Sequence, residues 1–65
     1  MSEITWGDTV LVLEDAPNDF RPGELGAVCG FHGSEQQTIS YLVEFGDGVT
    51  IEIPPAFLSK VEISD

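Results

Sequence analysis

His32 is the only histidine of the 65-residue chain, and Ser34 follows it two positions later. A general base needs an orienting partner and a nucleophile within hydrogen-bond reach. Both residues fall in the polar stretch from His32 to Thr38, which reads as a loop, so His32 reads as a surface histidine. One histidine and one cysteine cannot assemble a zinc ligand set. That cysteine, Cys29, lies within a strand pattern. Thiol activation needs nearby positive charge, and Arg21 and Lys60 are the only cations in the sequence. Cys29 is therefore expected to be inert and mostly buried. Asp47 stands between two glycines and offers a single carboxylate, far short of the alternating oxygen ligands of a calcium loop. It reads as a turn residue. Asp15, Asp19 and Glu24 share one loop; solvated charges are the preferred reading over convergence on a cation. No catalytic, cofactor-binding or metal-binding residue is assigned.

Phe20 and Arg21 sit together in that same loop. Aromatic and arginine side chains dominate interface hot spots, so Phe20 is either a partner anchor or a pin that folds back onto the core. Trp6 belongs to no alternating set and is expected to cover an open end of the fold.

The elements that position these residues are short. Thr9 to Glu14 is rich in β-branched residues and reads as a first strand. Asp15 to Glu24 carries Pro17, Pro22 and Gly23 and reads as a long loop without a regular element. Leu25 to Phe31 is a second strand, with Gly26 and Gly30 marking bulges or close backbone approach. In the third strand, Ile39 to Phe45, alternation sets Ile39, Tyr41, Val43 and Phe45 against Ser40, Leu42 and Glu44. Gly46-Asp47-Gly48 predicts a tight hairpin, and Val49, Ile51 and Ile53 form a fourth strand. Pro54-Pro55 ends it. Pro55 to Leu58 fits one 3₁₀ turn, and Ser59 to Ile63 is a last strand with Val61 and Ile63 on one face. The expected core is Val10, Val12, Val28, Val43, Phe45, Ile51 and Val61, with Tyr41 and Phe57 largely covered.

Sixty-five residues make one domain, residues 1–65, with a single core cluster. Hydrophobic residues are 42% of the chain, enough to argue against disorder despite the charge. Twelve acidic residues against two basic ones give a net charge of -10. Such a chain repels nucleic-acid phosphates and anionic lipid and attracts basic surfaces. A lone cysteine cannot form an internal disulfide, and no basic stretch followed by an apolar run opens the chain. A complete cytoplasmic protein is the expectation, outside the membrane. Five short strands without a long helix must curl to bury one face. The expected fold is an all-β, five-stranded SH3-like barrel with one 3₁₀ turn before the last strand.

The segments Pro22-Gly23-Glu24-Leu25-Gly26-Ala27-Val28, Tyr41-Leu42-Val43-Glu44-Phe45 and Ile53-Pro54-Pro55-Ala56-Phe57-Leu58 resemble a family of small bacterial SH3-like barrels of unassigned function. Some of its members are immunity-protein-like. The resemblance spans roughly residues 8 to 62 and rests on fold-forming glycines and core residues, so it implies architecture and no catalytic residue. The pattern is also similar to accessory subunits of ferredoxin–thioredoxin reductase and nitrile hydratase, and to ribosomal KOW-type domains. KOW-type barrels present basic loops to RNA, whereas these loops are acidic. The paired tyrosines of a proline-peptide groove are absent after the first strand. The expected function is a non-enzymatic acidic protein-binding module, immunity- or antitoxin-like, docking a basic protein surface. Its alternatives are an accessory subunit of a larger enzyme complex and, against the charge, a nucleic-acid-binding barrel. Asp15, Asp19, Phe20, Arg21 and Glu24 are the expected partner-binding residues, on a monomer or weak homodimer, with no cofactor.

Overall fold

The computed structural model describes residues 4–34 and 36–62. Strands β1 (Thr9–Val12), β2 (Leu25–Gly33), β3 (Thr38–Phe45), β4 (Thr50–Ile53) and β5 (Leu58–Val61) form one antiparallel sheet in the order β4-β3-β2-β1-β5. β4 and β5 are its edges, and no ladder joins them, so the sheet is open there. One 3₁₀ turn, Pro55–Phe57, precedes β5 as expected; a second, Asn18–Phe20, lies in the loop that reads as irregular. Pro17 ends in extended backbone just before it, so the proline introduces the turn rather than forbidding one.

The inner face carries the core. Val10, Val12, Val28, Val43 and Phe45 are buried as expected, joined by Ala16, Ile53 and Leu58. Ile51, Tyr41 and Phe57 are half-buried against this cluster, and Val61 is half-buried. Ile51 lies on an edge strand, where solvent reaches one flank; Val61 pairs with Thr9 on the face opposite the core and, contrary to expectation, does not belong to it. Ile63 lies outside the described residues.

Gly26 is where β2 meets the core most tightly. A Cβ added there would lie 2.5 Å from Val43 Cγ1 and 3.3 Å from the Phe45 ring. Val43 is fully buried, so its methyl has nowhere to go.

Two bulges alter the expected alternation. Val28 pairs with Val43 but Gly30 pairs with Leu42, which leaves Cys29 as the extra residue. Cys29 is exposed, contrary to expectation, on the face that alternation from buried Val28 gives it, with its Sγ 3.5 Å from the Leu42 carbonyl. At the far end His32 pairs with Ser40 and Gly33 with Thr38, so Ile39 is the extra residue and is 62% exposed. Ser40 beside it is buried, its hydroxyl donating to the Glu52 carboxylate. His32 belongs to β2, not to a loop. β1 stops at Val12, because the Leu13 amide turns to donate to the Phe57 carbonyl. Trp6 is 73% exposed, contrary to the expectation that it packs over an end of the fold.

Phe45, 3% exposed, should be a principal contributor to stability. Phe45→Ala is expected to cost about 3–5 kcal/mol, most of what a domain this small has. A urea titration losing under about 1 kcal/mol would contradict this placement. Cys29 should react with a thiol reagent at nearly the same rate in the native and urea-unfolded states. Strong native protection would overturn its placement on the outer face.

Candidate protein-docking site

The segment between β1 and β2 is closed at its base by backbone hydrogen bonds. Val12 donates to the Glu24 carbonyl at 3.0 Å, and Gly23 donates to the Val12 carbonyl at 2.8 Å. Gly23 has φ +86, a backbone conformation that residues with a side chain rarely adopt, so this closure favours glycine. Inside the loop Ala16 donates to Leu13, Phe20 to Pro17 and Arg21 to Asn18. The loop is therefore a folded surface element with its own hydrogen bonds.

Two side chains fasten it to the sheet. Phe20 is half-buried, its ring centroid 5.9 Å from that of Phe57 at an interplanar angle of 49°, a tilted aromatic pair. Arg21 has φ 62, uncommon for a residue with a side chain. It reaches across to the β3–β4 turn and donates from both terminal nitrogens to Asp47, at 3.0 and 2.9 Å. Such a two-pronged carboxylate contact fixes orientation as well as distance. Its guanidinium carbon also lies 5.1 Å from the centre of the Phe45 ring. Glu24 Oε1 is 3.8 Å from the same guanidinium.

Asp47 is held in place by its own turn. Gly48 donates to the Phe45 carbonyl and Phe45 to the Val49 carbonyl, closing the hairpin, and Gly48 takes φ +87. Asp47 Oδ1 accepts from the Val49 amide at 3.2 Å. The Arg21 hydrogen bond first, and the Val49 amide second, hold the Asp47 carboxyl below its ordinary range.

The five expected contact residues thus separate into two groups. Phe20 and Arg21 face the protein and secure the loop. Asp15 and Asp19 are exposed and have no cation partner among the described residues; Glu24 is exposed and in loose contact with Arg21. The other cation, Lys60, pairs with Asp8 at 3.5 Å. Among the described residues no three His, Cys, Asp or Glu side chains gather to hold a metal ion. No helix among them is long and apolar enough to cross a membrane.

His32, Ser40 and Glu52 form a second polar group. Glu52 accepts the Ser40 hydroxyl and lies 3.9 Å from His32 Nδ1. The carboxylate stands between serine and imidazole, so the imidazole does not take the hydroxyl proton in this arrangement.

Sequence reasoning missed the outer face of the sheet. Leu25, Ala27 and Leu42 all project from it and are exposed. The signal was present in Leu25 and Ala27 alternating with buried Gly26 and Val28. Comparison with protein-family models, curated proteins and solved structures finds no match.

The contact between Arg21 and Asp47 should be visible as a titration. A carboxylate held below its ordinary value contributes stability above that ordinary value, about 3.9 for aspartate. It loses that contribution as pH falls through the lowered, folded-state value. In an NMR pH series, the Arg21 amide signal should therefore move only below the ordinary aspartate range. Asp47→Asn should abolish that transition. An Arg21 signal that titrates identically in the variant would show that the two side chains are not joined in solution.

Proposed function

We propose that this chain is an SH3-like barrel acting as a non-enzymatic, acidic protein-binding module that docks a basic protein surface, in an immunity- or antitoxin-like role. Support for the barrel comes from connectivity. A long β1–β2 loop, a tight β3–β4 hairpin and a 3₁₀ turn between β4 and β5 follow the order in which such barrels are strung.

The observation that carries the functional reading is the built loop of residues 13–24. Its backbone is fastened at both ends and its two anchoring side chains face inward, while Glu14, Asp15 and Asp19 project as charges without a cation among the described residues. A partner that meets such a loop has little ordering entropy to overcome. The charge of -10 speeds encounter with a basic surface and opposes encounter with nucleic acid.

Stopped-flow association with a fluorescent oligolysine peptide tests this reading. Replacing Asp15, Asp19 and Glu24 together by Lys should slow association by roughly tenfold at low salt and by less at high salt. Replacing Glu3, Glu62 and Asp65 by Lys makes the same change in net charge near the chain ends and should slow it less. Equal slowing in the two triple variants would remove the loop from the encounter surface. Absence of any peptide binding by the unaltered protein would remove the basic-partner reading.

A further inference from the structure

We propose that the outer face of the sheet, centred on Leu25, Ala27 and Leu42, is the surface on which a basic partner is held, by an apolar contact flanked by Lys or Arg. This rests on the basic-partner reading above and names the surface and its chemistry.

The register places these side chains on one face, with Ala27 and Glu44 between Leu25 and Leu42. Residues paired across antiparallel strands project to the same face. Leu25 pairs with Leu11, and Ala27 with Thr9 on one side and Glu44 on the other. Gly30 pairs with Leu42, and Leu42 with Glu52. The Leu42 side chain lies over Gly30, where an added Cβ would be 3.1 Å from its Cδ1. Leu25 is 56% exposed and Leu42 37% exposed. An antiparallel sheet covered on one side ordinarily turns polar residues to water on the other. Here the β1–β2 half of that face is apolar and the β3–β4 half carries Glu44, Thr50 and Glu52.

A shallow hollow lies at the junction of the two halves, lined by Thr9, Leu25, Ala27 and Glu44. Its walls fit the aliphatic stem of a lysine or arginine, whose charged head then reaches Glu44. Charge complementarity selects this occupant. A second copy of the chain would bring Glu44 and Glu52 against the same carboxylates, with ten surplus negative charges on each partner. A purely apolar partner would cover Glu44 without supplying a counter-charge.

The test uses two synthetic peptides of equal length and charge, one alternating Lys and Leu and the other alternating Lys and Ser, titrated into the ¹⁵N-labelled full chain. The Lys–Leu peptide should bind about tenfold more tightly, with amide shifts concentrated at Leu25, Ala27, Leu42 and Glu44. Leu25→Ser combined with Leu42→Ser should bring the two affinities together while the backbone spectrum stays that of the native fold. If that double variant does not fold, Ala27→Ser and Leu25→Ser are read singly, each expected to reduce the preference. Equal affinities in the unaltered protein, or shifts confined to residues 13–24, would overturn this surface while leaving the basic-partner reading standing. Failure of both peptides to bind would overturn the two together. Sedimentation equilibrium supplies the last arm: a monomer at low and high salt is expected, and a dimer abolished by Leu25→Ser would assign the face to a second copy and overturn the proposal.

Discussion

The close approach of β2 to β3 at Gly26 is the contact on which the rest of the structure depends. A sheet of five short strands with no helix above it can exclude water only by bringing its own inner side chains together. The missing side chain at Gly26 lets Val43 and Phe45 settle against the backbone of β2. Phe45 then presents its ring to the Arg21 guanidinium. Arg21, so placed, reaches Asp47, and the loop of residues 13–24 is fixed relative to the hairpin. A core contact and a surface loop are in this way parts of one chain of contacts. The left-handed backbone of Arg21 is an unfavourable conformation that this surrounding structure maintains.

Charge distribution follows from the scarcity of cations. The sequence holds two, Arg21 and Lys60, and both face carboxylates of their own chain. Arg21 ties the β1–β2 loop to the β3–β4 turn, and Lys60 of β5 meets Asp8 ahead of β1. Among the described residues, Glu14, Asp15, Asp19 and Glu44 are left facing solvent, along the β1–β2 loop and the β3–β4 half of the outer face. That arrangement separates two kinds of acidic residue that look alike in the sequence. Asp8 and Asp47 hold the fold together, whereas Asp15, Asp19 and Glu44 contribute to the field around it.

Strand identity, the hairpin and the inner core were legible in the sequence, because each depends on local pattern. Val43 and Phe45 alternate, Asp47-Gly48 is a turn dipeptide, and Pro54-Pro55 must end a strand. Ile39 is misplaced for a definite reason. An extra residue in a strand shifts every later side chain to the opposite face, and neither Cys29 nor Ile39 announces itself as extra. The glycine at position 30 signalled an irregularity, and alternation from Val28 already sets Cys29 outward; the residue that the bulge moves to the outer face is Gly30. The Arg21–Asp47 contact spans 26 positions and joins two turns, a pairing no spacing rule contains. Phe20 was read with both of its fates in view, and its packing on Phe57 realises the inward one.

That inward packing bears on how a partner is retained. For Phe20 to anchor a second protein it would have to leave Phe57 and expose the flank of the core, a loss the new contact must first offset. The exposed carboxylates cannot retain a partner alone either. At physiological salt the screening length is about 8 Å, and exposed ion pairs contribute about 0–1 kcal/mol each. Retention requires apolar area removed from water, and that area must already be exposed in the free protein. Leu25 and Leu42 supply it without disturbing any contact of the inner core. Leu25 directly follows Glu24, so the loop proposed to draw in a basic surface and the face proposed to hold it are contiguous in the chain. A partner attracted by the first needs only a small reorientation to reach the second, which is how long-range charge and short-range packing divide the work of association.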